Sequence, residues 1–580
     1  MKHTHRSSRV LTFVLLSILI VIGSISYYTS IWYPDQLRTE YPYLKWSTDS
    51  NNPSHDLSPE VLPYDSRYFS GSSAAMGADD ERMEGIVAAF KHAWDAYARD
   101  AMGCDEYHPL SRSGDNFTTE GGIGYTIVDA IDTMYLMGLR TEYETARRWI
   151  ETELSFNRSS KAVSTLETTI RVLGGLLSAH YLTSDTLYLK HAEDLGRRLV
   201  VAFNTSSGVP HPTVNLGKPN EPHYSYVTSL AEAGSLQLEF KYLAELTQNK
   251  TYWEKAEHAI TVIRKGLLPN GLAPTRLRVQ QGTFQDSVVR LGSLADSYYE
   301  YLLKQYLQTQ STETIYQMMY NKAVDGIAEN LMQETPEEHL AYMAELNPWG
   351  STSNSSWMLG HRQEHLVCFL AGSLMLGAVT SGSQNGHQRV SIPPKPHELS
   401  PRGLRDWKMG IDLLEGCMRT HNTKTGLAPE VAEFRAINDT NYRYDKDWFI
   451  PRSLRLASTN RSPYEARYLL RPEVVESIFI AWRLTGNARY RDWAWDIFSS
   501  IQRHARIPTG GYGTVSDVDQ VPAKLLDKQE TFFMSETLKY LYLTFADANV
   551  LPLHGMKDIL TVRGREADAN VTGYRDRLQY

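Results

Sequence analysis

Residues 468–486 read Tyr-Leu-Leu-Arg-Pro-Glu-Val-Val-Glu-Ser-Ile-Phe-Ile-Ala-Trp-Arg-Leu-Thr-Gly, and the fold is decided by this stretch. Pro472 suits the first position of a helix, where its missing N–H is not needed and its fixed φ already fits. Glu473 and Glu476 follow three residues apart, so both carboxylates project from one side of the first turn. Behind them Ile478, Phe479, Ile480, Ala481, Trp482 and Leu484 are apolar nearly all round, the mark of a helix buried on every side. Carboxylates at the mouth of a buried helix need a partner or a task. Taken singly, the pattern is also what the helix dipole favours at any N-terminus.

Repetition raises it above that. Six other stretches share a polar or acidic head, an apolar helical body and a small or polar exit. Their heads are Asp129 with Asp132, Glu167, Glu232, Asp296, His365 and Glu530, and amphipathic helical stretches lie between them. Three exits are close copies: Leu182-Thr-Ser-Asp185 leads to Tyr188 and Ala192, Leu246-Thr-Gln-Asn249 to Tyr252 and Ala256, and Leu484-Thr-Gly-Asn487 to Tyr490 and Ala494. Such an internal repeat marks where an inner helix turns into an outer one. The outer helices are expected at 79–102, 140–154, 186–203, 251–267, 312–332, 403–420 and 487–504. Seven hairpins side by side can close into a ring with the polar heads at one mouth, so the expected class is all-α.

Working outward, the chain divides further. Lys2, Arg6 and Arg9 precede an apolar run that passes into Tyr27, Tyr28, Trp32 and Tyr33. Residues 1–9 are expected to be a cytosolic tail and residues 10–33 a single-pass transmembrane anchor, long enough for a bilayer and ending in an interfacial aromatic belt. A cleaved signal peptide is the rival reading. Positive charge on the short leading side makes the bulk of the chain luminal. Sequons at Asn116, Asn157, Asn204, Asn249, Asn354, Asn438, Asn460 and Asn570 corroborate a luminal location. Residues 34–78, rich in Pro, Ser, Asn and Asp, read as a stalk, residues 379–402 as an inserted exposed loop, and residues 562–580 as a polar tail.

The 580 residues carry a formal net charge of −8 and 22% charged side chains, with no basic patch for nucleic acid. The 35 tyrosines and 12 tryptophans suit sugar stacking as well as core packing. Of Cys104, Cys368 and Cys417, one pair can be bridged in an oxidising compartment, with one left over. No P-loop, HExxH, G-x-S-x-G, dinucleotide fingerprint or zinc spacing is present, so the carboxylates must carry the chemistry. Converging acids suit glycoside hydrolysis, in which one carboxyl protonates the leaving oxygen and another activates water. They equally suit a hard cation such as calcium.

At these same residues the sequence resembles the class I α-1,2-mannosidases, glycoside hydrolase family 47. The resemblance is carried by GGIGYTIVDAIDTMYLMGL, ETTIRVLGGLLSAHYL, ADSYYEYLLKQY, HLVCFLAGSLMLG, GLAPEVAEF, LLRPEVVES, GGYGTVSDV and ETFFMSETLKYLYLTF, in family order from about Asp79 to Phe545. It implies an (α/α)7 barrel over residues 79–561 and a calcium-dependent, inverting exo-mannosidase acting on high-mannose N-glycans in the endoplasmic reticulum or Golgi. On the matching positions, Glu473 is the implied general base, and Glu167 and Asp296 are the candidates for the acid side. Arg171 orients Glu167 or meets a sugar hydroxyl, a plain i,i+4 ion pair being the alternative. Glu232, His365, Glu476, Phe532 and Glu536 line the sugar subsite, and Cys368 pairs with Cys417. The family ends on Asn-Thr-Glu-Ala-His, whose threonine binds calcium through hydroxyl and carbonyl. Here Thr561 stands at that place between Leu560 and Val562, which makes it the implied direct metal ligand. A glycan-binding quality-control protein of the same fold, with weak or no hydrolase activity, is the second reading.

Overall fold

The computed structural model describes residues 65–551, apart from 74–75, 158–160, 220–224, 350–355, 385–389, 438–445 and 453–462. The expected tail and anchor at 1–33, most of the stalk, Thr561 and the tail at 562–580 lie outside the described residues. No helix among the described residues is long and apolar enough to cross a membrane.

Fourteen of the helices among the described residues alternate between an outer and an inner layer. In chain order they are α1 (Asp80–Asp100), α2 (Tyr125–Leu136), α3 (Arg140–Thr152), α4 (Gly174–Thr183), α5 (Thr186–Leu199), α6 (Gln237–Thr247), α7 (Lys250–Lys265), α8 (Asp296–Gln308), α9 (Thr314–Asn330), α10 (Phe369–Val379), α11 (Pro401–Arg419), α12 (Glu473–Thr485), α13 (Arg489–His504) and α14 (Leu538–Phe545). The even-numbered helices contact one another in sequence, and a π-helical turn before α14 (Phe533–Thr537) touches α2, closing the ring. Each odd-numbered helix packs outside an inner one, α1 on α14, α3 on α2, and so on to α13 on α12. The result is an α/α barrel.

Sequence dictates the layers. Every residue of α10 and α14 is buried, and in α12 every residue but Glu473. The outer α3, by contrast, buries only Ala146 and Ile150 of its thirteen residues. The three repeated exits are built alike. Thr183, Thr247 and Thr485 each donate a hydroxyl to the carbonyl four residues back, at 2.6–2.7 Å. Ser184, Gln248 and Gly486 then take left-handed φ values of 57°, 56° and 64°, ending the inner helix. Asp185, Asn249 and Asn487 accept the N–H two residues on and start the outer helix. The repeated tyrosine and alanine are buried at all three places. Only the third copy needs glycine, because a Cβ on Gly486 would lie 2.1 Å from the Ser72 carbonyl oxygen.

That contact corrects the stalk. Residues from 65 onward belong to the compact unit rather than a spacer ending at 78. Phe69 stacks on Trp407, the Trp407 indole N–H donates to the Tyr68 carbonyl, and Arg67 pairs with Asp412 and Glu415 on α11. The insertion at 379–402 is likewise no free loop at its base. Ser383 bridges Leu399, Val390 and Ile392 pack on the core, and Pro401 already opens α11. Cys368 and Cys417 are bonded to each other, tying α10 to α11, and Cys104 is free. At the other end, Arg483 donates to the carbonyls of Leu543, Ala548 and Val550, holding the chain as it leaves α14. Asn116, Asn157, Asn204 and Asn249 are exposed; the other four sequons lie outside the described residues.

The chain is also less purely helical than expected. Among the described residues, short strands form small two- and three-stranded sheets, none longer than five residues per strand. Several deliver the chain to an inner helix head: Val163–Ser164 precedes Glu167, Val227–Ser229 precedes Glu232, and Arg362–Glu364 precedes His365.

Candidate active site

The heads of the inner helices converge at one end of the barrel, and the site divides into two groups of side chains. The first gathers around Arg171. Ser164 caps the Glu167 N–H, and the chain then passes through a π-helical turn, Thr168–Leu173, into α4. A second π turn, Phe533–Thr537, carries Glu536. Such turns fit an extra residue into a helix and re-aim the side chains around it, frequently at functional sites. Glu167 Oε2 accepts from Arg171 Nε at 2.7 Å and from the Tyr125 hydroxyl at 2.9 Å. The Arg171 Nη1 reaches Glu536 at 3.1 Å and Asp129 at 3.5 Å, and its guanidinium lies 5.3 Å from the Phe532 ring centre. The i,i+4 ion pair is therefore real, but only one spoke of a buried hub.

The second group holds the remaining acids. Asp296 and Glu473 are each the first residue of their helix, α8 and α12. Asp296 accepts from the Ser297 N–H at 2.9 Å. Burial pushes its carboxyl up to about 7, and the charges of Glu473, Glu300 and Glu364 add to the rise. Glu473 lies between two weakly engaged neighbours, His365 Nε2 at 3.8 Å and Arg471 Nη1 at 3.8 Å. Arg471 is committed elsewhere, donating at 2.7 Å to the buried Glu430. Glu476, one turn along α12, accepts from the Tyr540 hydroxyl at 3.2 Å and sits 3.6 Å from Lys304. Phe532 joins the two groups, its ring between Arg171 and the Arg471 guanidinium at 5.9 Å.

Glu232 is placed differently from the other expected site residues. It closes a capping box, accepting from the Ser229 N–H at 2.7 Å. Its short helix packs on α8, beside Asp296, and the Ala231 N–H donates to the Leu294 carbonyl. The structure thus brings Glu167, Arg171, Phe532 and Glu536 together, and Asp296, His365, Glu473 and Glu476 around the same chamber. Arg471, Glu430, Tyr125, Glu364 and Arg290 were not singled out from sequence. Arg290 bonds Glu364 at 2.9 Å, and Glu364 accepts from the Ser293 N–H just ahead of Asp296. The one sequence signal for Arg471 and Glu430 was their place inside the motifs LLRPEVVES and GLAPEVAEF.

Among the described residues no group of three or more His, Cys, Asp or Glu is arranged to hold a metal directly. The chamber's hard carboxylate oxygens fit a cation held through water, with direct ligation left to other oxygens.

A closed α/α barrel whose helix heads present several carboxyl groups, one poised to hold a proton near neutrality, beside an aromatic ring flanked by guanidinium groups, defines a carbohydrate-cleaving class of site. Residues 89–560 match glycosyl hydrolase family 47, and the chain belongs to that family of glycoside hydrolases. The endoplasmic reticulum mannosyl-oligosaccharide 1,2-alpha-mannosidase of Schizosaccharomyces pombe is 40% identical over 482 residues, covering 81% of this chain and 86% of its own length. The human protein of the same description is 37% identical over 480 residues, and the match spans 81% of this chain but 62% of the human one. Among solved structures, an alpha-1,2-mannosidase from Trichoderma reesei superposes with a TM-score of 0.70 at 27% identity, covering 81% of this chain and 94% of its own.

Proposed function

We propose that this chain is an inverting exo-α-1,2-mannosidase that trims terminal mannose from high-mannose N-glycans of glycoproteins in the endoplasmic reticulum, with calcium as its cofactor. The observation that carries the reading is the contrast between Asp296, whose carboxyl is pushed up to about 7, and its chamber partner Glu473 at the head of α12. In an inverting hydrolysis one carboxyl arrives protonated and the other arrives as carboxylate, with a water between it and the sugar. Asp296 holds the proton and passes it to the glycosidic oxygen, directly or through one water. Glu473 takes a proton from the attacking water. Glu167 is bonded by two donors and positions Arg171, which with Phe532 and Glu536 meets the sugar. Thr561 would hold calcium directly, the chamber carboxylates would reach it through water, and the ion would supply coordination for adjacent mannose hydroxyls. An N-terminal anchor at 10–33 holds the enzyme to the membrane with the barrel in the lumen.

The test is full-length chain with a nine-mannose glycan, with added calcium and with chelator. Release of single mannose units, lost on chelation and first appearing as β-mannose by proton NMR, is the expected result. Binding without release in excess calcium overturns the hydrolase reading in favour of a glycan-binding protein of the same fold. An α-mannose first product overturns the inverting assignment.

A further inference from the structure

Behind Glu473 lie two buried imidazoles in series. His365, at the head of the turn leading into α10, is 5% exposed, and neither ring nitrogen has a hydrogen-bond partner among the described residues. Its Nε2 faces Glu473 Oε2 at 3.8 Å. His421, two residues past α11, meets the His365 ring edge-to-face, the ring centres 6.3 Å apart. It is 8% exposed. The His421 Nδ1 donates to the Gly426 carbonyl at 3.1 Å, which leaves the lone pair on Nε2, and Nε2 has no partner among the described residues. His421 also lines a groove of about 540 Å³ between the outer helices α11 and α13, with Arg419, Trp493, Asp496 and Ser500. One imidazole thus borders the chamber and the other borders solvent.

Two buried imidazoles with three of their four ring nitrogens unpartnered among the described residues are costly to keep for packing alone. The reaction gives them a task. Each turnover leaves a proton on Glu473 while the released sugar and the glycan still fill the mouth. We propose that His365 and His421 form a proton exit from Glu473 through the barrel wall to the outer groove, resetting the base independently of the mouth. Glu473 gives its proton to His365, His365 gives one to His421, and His421 gives one to groove water. Each imidazole gains and loses one proton, Glu473 returns to carboxylate, and Asp296 regains from water, once the products leave, the proton it gave to the glycosidic oxygen. Ring rotation or one bridging water closes the gaps that exceed hydrogen-bond length. Burial pulls the His421 imidazole down to about 4. The same cause, with His421 and Arg471 nearby, takes His365 well below its usual range. Neither ring therefore traps a proton leaving a carboxylic acid. The charged groups facing the pair are Glu473 and Arg471, with Glu430 behind Arg471, on the chamber side, and Glu415, Arg419 and Asp496 on the groove side.

This inference rests on Glu473 being the base, and the experiment separates the two. The exit acts after bond cleavage, so its loss lowers kcat and spares kcat/KM. His421→Asn keeps a donor for the Gly426 carbonyl, and His421→Phe keeps the ring volume; neither passes a proton. With the full-length chain and a nine-mannose glycan, both variants should lose at least about tenfold in kcat, a modest cost for losing a positioned proton-transfer group. Their kcat/KM should stay within about twofold, and added imidazole should restore kcat. The wild type supplies a check free of any folding defect: its solvent deuterium effect should be larger on kcat than on a single turnover. An unchanged kcat, a parallel fall in kcat/KM, or equal isotope effects overturns the exit. Near-normal single-turnover cleavage by Glu473→Gln overturns the underlying base assignment instead.

Discussion

The two halves of the chamber treat their acids in opposite ways. Around Arg171, the acids are answered: a 2.7 Å bond to Glu167, a 3.1 Å bond to Glu536 and a further contact to Asp129, with Tyr125 and Phe532 covering the guanidinium. Around Glu473, Arg471 stands 3.8 Å away and bonds Glu430, and Asp296 answers its burial by holding its proton more tightly. A carboxylate bonded to a cation stays ionised, binds and positions, whereas one pushed up by burial can hold and release a proton near neutral pH. In the function proposed above, substrate binding falls to the first half and proton chemistry to the second.

The largest expected effect breaks the second half. Glu473→Gln keeps size and removes the proton acceptor, so turnover should fall by about 10²–10⁴ with little change in melting temperature. A near-normal rate measured on the nine-mannose glycan would move the base elsewhere, Glu476 being next along the same helix.

Breaking the first half should show in stability as much as in rate. Arg171→Met leaves Glu167, Asp129 and Glu536 without their shared cation, and removing one partner of a buried ion pair typically costs about 3–5 kcal/mol. Urea unfolding that shows under about 1 kcal/mol of loss would mean that the hub relaxes around the missing charge.

Between these extremes lies the cross-link. Cys368 and Cys417 are 49 residues apart in sequence and bridge α10 to α11. Converting both to serine should cost about 2–4 kcal/mol, mostly by loosening the unfolded chain. Non-reducing peptide mapping that joins Cys104 to either partner would contradict the pairing.

The ring was legible from sequence because its signals are local. Every inner helix announces itself by an apolar body behind a polar head, and the repeated Leu-Thr exit encodes a backbone conformation that the structure reproduces at Ser184, Gln248 and Gly486. The acids at helix heads were legible for the same reason. What stayed hidden depends on partners far along the chain. Arg471 is engaged by Glu430, His421 comes to rest behind His365, and residues 65–72 seat against α11 and Gly486 despite a composition that reads as spacer. Periodicity carries no information about such pairings. The proposed calcium site was legible only through the family resemblance, because its one implied direct ligand, Thr561, stands in a segment without helical period, outside the described residues.

The smallest effect is the most diagnostic of sign. Asp296 moves from an ordinary 3.8 to about 7 on folding, so between those values the native state binds a proton that the unfolded state lacks. Its contribution to stability is present below the lower value and is lost as pH rises through about 7. Asp296→Asn removes that loss, so its melting temperature should exceed the wild type's by a few degrees at pH 8, with the gap closing towards pH 4. A variant less stable than wild type at pH 8 would show that the carboxyl is paired rather than stranded.

The division of labour is tested most directly by the alkaline limb of kcat/KM, measured for the wild type, Glu167→Gln and Asp296→Asn. Activity that needs a protonated Asp296 falls as pH rises through about 7. Glu167→Gln should be slower and keep that limb where it is, while Asp296→Asn should lose it. A limb that vanishes in Glu167→Gln and persists in Asp296→Asn would place the acid beside Arg171 and contradict the account.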